Sequence, residues 1–134
     1  MRQYIIDYLN YIHSLTAEYN SHIQALIIDD RKDEADIYKI RINICDIFIR
    51  MLDATEKKVG PVKSADEAEQ AGVYNQEYLD WFEKIPVNWR TNLETARKYE
   101  DAINIKTEEV KLETAELLRS KFLELAGGSV PGTR

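Results

Sequence analysis

The stretch "DDRKDEAD" at residues 29–36 decides the fold predicted for this chain, because it separates two long segments of helical apolar periodicity. Seven of its eight residues are charged, and it is the only interruption between residues 3 and 57, which contain neither glycine nor proline. We interpret it as a turn and the capped start of a second helix, since aspartate near a helix N-terminus accepts free backbone amides and suits the helix dipole. The alternative is one unbroken helix, because the apolar phase on both sides is compatible with it.

Helix breakers downstream delimit a short third segment. The Gly-Pro pair at 60–61 ends the second helix. Ser64 followed by Glu67 has the spacing of a capping box, which predicts the start of a third helix. We expect Gly72 to break or kink this helix, which then continues to Pro86.

The last helical segment is the longest, because residues 87–126 contain neither glycine nor proline. The tail "GGSVPGTR" at 127–134 is rich in breakers and is predicted to be flexible. No alternating strand pattern of useful length occurs in the chain. The sequence therefore predicts one all-α domain over residues 1–126. We expect a helical bundle built from an antiparallel helical hairpin, a short broken helix and a long C-terminal helix.

The composition excludes several classes of function. The 134-residue chain has 24 acidic and 18 basic side chains, and its net charge of −6 repels phosphate backbones, so we expect no nucleic-acid binding. The single cysteine, Cys45, cannot form an internal disulfide, which is typical of a reducing compartment. The N-terminus does not have the pattern of a signal peptide, and no apolar stretch reaches membrane-spanning length. The sequence therefore predicts a cytoplasmic protein with no membrane partner.

Four tyrosines lie along one edge of the first helix, at positions 4, 8, 11 and 19. At 100° per residue they fall within an arc of about 80°, between an isoleucine-rich stripe and a polar face. A side chain with an apolar ring and a polar tip suits such a boundary, because the ring is buried while the hydroxyl stays solvated or bonded. We interpret the tyrosines as part of the core boundary. The alternative is a partner surface, where tyrosine is also enriched.

The histidines and the cysteine show no pattern of a metal site or a nucleophile. His13 and His22 are nine residues apart, which places them on opposite faces of the helix and prevents chelation of one ion. Cys45 lies on the apolar side of its helix, with Arg41 as the only basic neighbour in its turn, and we interpret it as an inert buried thiol. The sequence thus predicts no catalytic, cofactor-binding or metal-ligating residue, and no cofactor.

Paired acids are the one signal that resembles an enzyme. All-α nucleotide pyrophosphohydrolases hold Mg²⁺ with a Glu-x-x-Glu pair followed downstream by Glu-x-x-Asp, but this chain lacks a matching ordered set. We interpret its acid pairs as solvated helix faces. A Mg-dependent all-α nucleotide pyrophosphohydrolase-like enzyme remains the alternative function. The pairs are Asp30 and Asp33, Asp66 and Glu69, Asp80 and Glu83, and Glu113 and Glu116.

The second helix, "IYKIRINICDIFIRML" at 37–52, is apolar around most of its circumference. Its polar residues share an arc only about 80° wide, so it must be central to the domain or must also face another chain. Arg41 falls within the apolar arc. Because an unpaired buried charge is costly, we expect Arg41 to form a buried ion pair with a carboxylate from another helix or another chain.

The last segment also has apolar residues on more than one face. Some of them lie opposite its main stripe, and we interpret these residues, with others on the second helix, as candidates for an interface. The main stripe comprises Trp89, Leu93, Ala96, Ile103, Val110, Leu117, Leu118 and Leu125. The interface candidates are Ile42, Ile49 and Leu52 on the second helix, and Ile105, Leu112 and Leu123 on the last segment.

This surplus of apolar surface is the only feature that exceeds what a single bundle needs. It predicts a non-enzymatic interaction or assembly module that self-associates, most simply as a homodimer, because a two-fold partner is the commonest cover for such a surface. A different protein partner is compatible with the same surface. The structural alternative is that the third segment folds over the second helix and covers it within one chain.

Overall fold

The computed structural model describes residues 2–60 and 67–127, which form five α-helices. Within these residues there is no strand, and the prediction of an all-α helical bundle is confirmed. The predicted cap Ser64 and the predicted tail after Gly127 lie outside the described residues. The helices are α1 (Gln3–Ile28), α2 (Lys32–Val59), α3 (Glu67–Lys84), α4 (Val87–Lys98) and α5 (Ala102–Ala126).

The charged stretch at 29–36 is a turn, as predicted, and α1 and α2 form a hairpin. Asp30 adopts the left-handed conformation with φ of 58°, and the amide of Arg31 donates to the carbonyl of Leu26 at 2.8 Å. The predicted aspartate cap is wrong, because Arg31 occupies the N-cap position and makes no side-chain capping bond. Asp33 and Glu34 instead lie in the first turn of α2, where they suit the helix dipole.

The last segment is not one continuous helix, because the chain turns sharply between α4 and α5. Glu100 has φ of 53°, and the carboxylate of Asp101 caps α5 by accepting a hydrogen bond from the Asn104 amide at 3.2 Å. The Asn104 side chain also donates to Asp101, at 2.6 Å. Gly72, by contrast, lies within α3 and does not interrupt it, and the break falls before Pro86 as predicted.

We expect Glu100→Gly to raise the free energy of unfolding by about 1 kcal/mol, since left-handed backbone is strained for a non-glycine residue and is adopted freely by glycine. Urea denaturation measures the change. The matched control is Glu94→Gly, an exposed position inside α4, where the same replacement should cost about 1 kcal/mol. Destabilisation by both variants would contradict the turn geometry at Glu100.

Contacts between the helices give their relative directions. The ring of Tyr8, near the start of α1, lies 5.1 Å from that of Phe122, near the end of α5, so these two helices are antiparallel. Since α1 is also antiparallel to α2 through the hairpin, α2 and α5 run in the same direction. Rings from α2 and α3 stack where Phe48 meets Phe82, with centroids 4.0 Å apart. α4 packs against α5.

The tyrosine edge of α1 is more deeply buried than predicted. Tyr4 and Tyr11 are partly exposed, as a boundary position requires, but Tyr8 and Tyr19 are buried. Tyr19 packs against Tyr38 of α2, with ring centres 5.7 Å apart. For Tyr8 the reason is α3, which supplies polar partners inside the core. The Tyr8 and Tyr78 hydroxyls are 2.9 Å apart, and Tyr4 donates to the Asn75 side-chain oxygen at 2.6 Å. These contacts favour the core interpretation of the tyrosines.

Candidate interaction surface

The six predicted interface residues are largely covered within the chain. Leu52 belongs to the core, with 3% of its surface exposed, and leaves no side-chain area for a partner. Ile42, Ile49 and Leu123 are half-buried and pack against the same core. Ile105 and Leu112, both on α5, are also half-buried. Because α3 packs on α2 and α4 folds back along α5, the chain itself covers much of the surplus apolar surface that the sequence contains.

Other apolar side chains are far more exposed, and some belong to the main stripe of the last segment, which was predicted to face the core. Ile103 is 80% exposed and Leu117 is 40% exposed. The turn before α5 places Ile103 in the first turn of that helix, where it is left largely exposed. Its position around α5 is not the cause, because Val110, seven residues later and only about 20° away around the helix, is fully buried. The Asp101–Asn104 spacing, which is typical of a cap, is the sequence signal that could have revealed the turn.

Ile103 lies in a groove between the first halves of α2 and α5, which we term the α2–α5 groove. The groove has a volume of about 380 Å³. It runs between two helices that start at the same end of the bundle. Its lining residues are Asp33, Asp36, Ile37, Ile40, Ala102, Ile103, Lys106 and Thr107.

The α2–α5 groove is open because α3 is too short to cover it. α3 packs on the second half of α2, where the Tyr78 hydroxyl donates to the Phe48 carbonyl at 3.1 Å. It ends at Lys84. Beyond Pro86 the chain continues as α4, which packs on α5 and not on the first half of α2. The strip between α2 and α5 that α3 would otherwise cover is therefore left to the solvent.

The two walls of the groove carry opposite charges. Asp33 and Asp36 lie on the α2 wall, and Lys106 lies on the α5 wall. Asp36 is paired with Lys39 at 3.5 Å, and both side chains are more than half exposed. Among residues 2–60 and 67–127, Lys106 makes no ion pair. A partner that covers this groove needs apolar side chains flanked by charges of both signs.

Arg41 does not form the predicted ion pair with any carboxylate of the described chain. Its guanidinium carbon instead lies 5.9 Å from the ring centre of Tyr19 and 5.6 Å from that of Tyr38. Its Nε atom is buried and has no hydrogen-bond partner among residues 2–60 and 67–127. Two aromatic faces thus take the place expected for the acid, because they attract a cation without adding a charge. A carboxylate from a second chain stays a prediction.

We expect Arg41→Met to change the free energy of unfolding by no more than about 1 kcal/mol, because the loss of cation–π attraction is offset by removing an unbonded buried N–H. The matched control is Lys111→Met. Lys111 pairs with Glu108 at 3.1 Å, and Glu108 is only 7% exposed. Because this replacement leaves the buried carboxylate without its partner, it should lower the free energy of unfolding by about 1–3 kcal/mol. Urea denaturation compares the two variants, and a larger loss for Arg41→Met would reveal a carboxylate partner.

The other candidate residues do not converge on a site. His13 is exposed, and His22 stacks on Tyr38 with ring centres 4.9 Å apart. Cys45 is fully buried, and burial raises the pKa of its thiol to about 11, so the thiol is protonated and unreactive at neutral pH. In the part of the chain that the structure describes, no three histidine, cysteine or acidic residues are grouped so that they could hold a metal ion.

The predicted acid pairs are distributed over separate helices. Asp80 accepts a hydrogen bond from Gln76 at 2.9 Å, and Glu116 accepts one from Ser120 at 3.2 Å. Both are contacts within one helix, as expected for solvated faces. Asp66 lies outside the described residues.

A second cavity lies inside the α4–α5 hairpin and is lined mainly by polar residues. It has a volume of about 280 Å³. Glu108 lines it, and one of its carboxylate oxygens accepts from Lys111. The other oxygen is buried and has no hydrogen-bond partner in the described part of the chain. Because that free oxygen is not accessible to solvent, we assign the cavity no ligand.

Comparison of the chain with protein-family models, with curated protein sequences and with solved structures finds no match. The function is therefore inferred from the surface of the molecule. Within the described residues, no helix combines the length and the apolar character that a membrane span requires.

Proposed function

We propose that this protein is a non-enzymatic interaction module that self-associates as a homodimer through the α2–α5 groove. The observation that carries the proposal is Ile103, which is 80% exposed in a groove that also contains Ile37 and Ile40. Burial of an exposed isoleucine side chain is favourable by about 1.5–3 kcal/mol. A second copy of the same groove would recover that free energy twice in a single two-fold contact.

The proposed interface retains the helices that the sequence indicates but differs in its residues. α2 and the last helix remain the contact elements, whereas the exposed Ile103, with the half-buried Ile37 and Ile40 beside it, replaces candidates such as Ile49 and Leu123. We further propose a cytoplasmic location, which is supported by the free buried thiol of Cys45. A different protein with a complementary ridge is the competing partner for the groove.

Ile103→Asp is expected to convert the dimer to a monomer, because a carboxylate in the groove must be desolvated on association. Size-exclusion chromatography with light scattering should give twice the chain mass of 15.6 kDa for the unmodified protein and 15.6 kDa for the variant. The matched control is Ile28→Asp, since Ile28 is 86% exposed at the end of α1 and does not line the groove.

The control should remain dimeric, and both variants should keep the helix content measured by circular dichroism. A mass of 15.6 kDa for the unmodified protein at all concentrations would contradict the proposed function. A dimer that both aspartate variants leave intact would contradict the groove as its interface.

A further inference from the structure

We propose that the two copies associate about a two-fold axis parallel to α2 and α5, so that Asp36 of each copy pairs with the partner's Lys106. This inference rests on the proposed function, because it specifies the register of the dimer. It follows from two properties of the α2–α5 groove. Its two helices run in the same direction, and its two walls carry opposite charges.

Two orientations place one groove face to face with another. If the two-fold axis is perpendicular to the helices, α2 lies against α2 of the partner, and the acidic walls that contain Asp33 and Asp36 face each other. If the axis is parallel to the helices, α2 of one copy lies against α5 of its partner. Each acidic wall then faces a basic one. Like charges placed opposite each other disfavour association, so the charges select the parallel axis.

The heights of the charged residues fit the parallel axis. A rotation about an axis parallel to the helices leaves every residue at its own level along the bundle. Asp36 lies about one helical turn after Asp33, and Lys106 about one turn after Ala102, the residues at which α2 and α5 begin to line the groove. Because helical side chains lean toward the N-terminus of their helix, the long side chain of the partner's Lys106 extends toward the level of Asp36.

Both charged groups are available for this contact. Lys106 is exposed and has no ion pair among the described residues. Within the described chain Asp36 is paired only with Lys39, at 3.5 Å and on an exposed face. An ionised carboxylate accepts several hydrogen bonds, so Asp36 can accept another. The same rotation brings the two copies of Ile103 toward the partner's Ile37 and the partner's Ile40, so that the apolar centre of the contact lies between two charged flanks.

The test exploits the fact that each charge reversal should prevent self-association but should permit association with the other variant. In a dimer of Asp36→Lys, the introduced ammonium group would face the partner's unchanged Lys106, and in a dimer of Lys106→Glu two acids would meet. We expect each variant alone to dimerise at least about tenfold more weakly than the unmodified protein. In an equimolar mixture the charges that face each other can again be opposite, and dimers should re-form.

Light scattering coupled to size exclusion measures the mass of each sample. One variant with a fusion tag allows the mixed dimer to be distinguished by mass. The matched controls are Asp53→Lys and Lys57→Glu, which reverse an exposed ion pair of 3.0 Å at the other end of α2. Both controls should dimerise like the unmodified protein, and circular dichroism should show an unchanged helix content for all four variants.

The outcomes separate the register from the function on which it rests. Monomeric single variants that form a mixed dimer support the parallel axis. If the unmodified protein dimerises and Ile103→Asp abolishes the dimer, but the single charge variants dimerise normally or the mixture stays monomeric, the register is overturned while the proposed function stands. If the unmodified protein is a monomer, the proposed function itself fails.

Discussion

The protein is expected to lose stability steeply above pH 10, because two tyrosines in the centre of the bundle remain protonated in the folded state. Burial raises the pKa of Tyr8 and of Tyr78 above the ordinary value of 10.0. Both side chains are fully buried. In the unfolded chain the same hydroxyls ionise near pH 10. The folded state therefore binds more protons than the unfolded state above that pH, and its free energy of unfolding falls as the pH rises.

The expected loss is large compared with the total stability of a small domain. A group that stays protonated only in the folded state costs about 1.4 kcal/mol per pH unit, so two such groups cost about 3 kcal/mol per unit. This contribution is absent below the unfolded pKa and grows until the pH reaches the folded pKa values. Since small domains unfold at a cost of about 5–15 kcal/mol, we expect cooperative unfolding within a few pH units above 10.

Urea denaturation at neutral pH and at successive steps above pH 10.0 measures how steeply the free energy of unfolding falls with pH. The ultraviolet absorbance of tyrosinate shows how many tyrosines have ionised at each pH. The double variant Tyr8→Phe with Tyr78→Phe should remove the two-proton part of the slope. Ionisation of all eight tyrosines near pH 10 with the helices intact would contradict the buried positions.

Tyr8→Ala is expected to destabilise the fold by about 3–5 kcal/mol, which is typical for the loss of a large buried ring. The Tyr8 ring makes edge-to-face contacts with two others, at 5.8 Å from Tyr78 and 5.1 Å from Phe122. These rings come from α3 and α5, so the cavity would open where three helices meet. The control is Tyr99→Ala, an exposed position that should change stability by less than about 0.5 kcal/mol.

Removal of the hydroxyls alone should have smaller and unequal effects. The Tyr78 hydroxyl donates to the Phe48 carbonyl, so the Tyr8 hydroxyl is the donor between the two tyrosines. Tyr8→Phe removes a donor and should cost no more than about 1 kcal/mol. Tyr78→Phe leaves the Tyr8 O–H without an acceptor in the core and should cost about 1–3 kcal/mol. Urea denaturation measures all four variants, and a neutral Tyr8→Ala would restore the partner interpretation of the tyrosine edge.

The parts of the fold that depend on local chemistry could be predicted from the sequence. The charged stretch at 29–36 marks a turn because so many adjacent charges cannot be buried, and Pro86 ends α3 because proline is incompatible with a helix interior. Helical periodicity between such breaks was enough to predict an all-α bundle. The turn at Glu100 was not predicted, because it contains neither glycine nor proline and its signal is a single capping pair.

The exposure of particular side chains could not be predicted, since it depends on which helix lies beside which. Tyr8 has the pattern of a boundary residue, and it is buried only because Tyr78 of α3 provides a hydroxyl partner across the core. Arg41 has the pattern of a buried ion pair, and two rings surround it instead. In both cases the decisive contacts come from another helix, so periodicity within one helix gives no information about them.

The α2–α5 groove shows most clearly which properties the sequence determines and which depend on the tertiary structure. The sequence by itself determined that this is a helical bundle with more apolar surface than one bundle face requires, because composition and periodicity are properties of each segment alone. Only the tertiary structure decided where that surface is left uncovered. α3 ends too early to cover the first half of α2, and the turn before α5 places Ile103 in the first turn of that helix, beside the uncovered part of α2 in the α2–α5 groove.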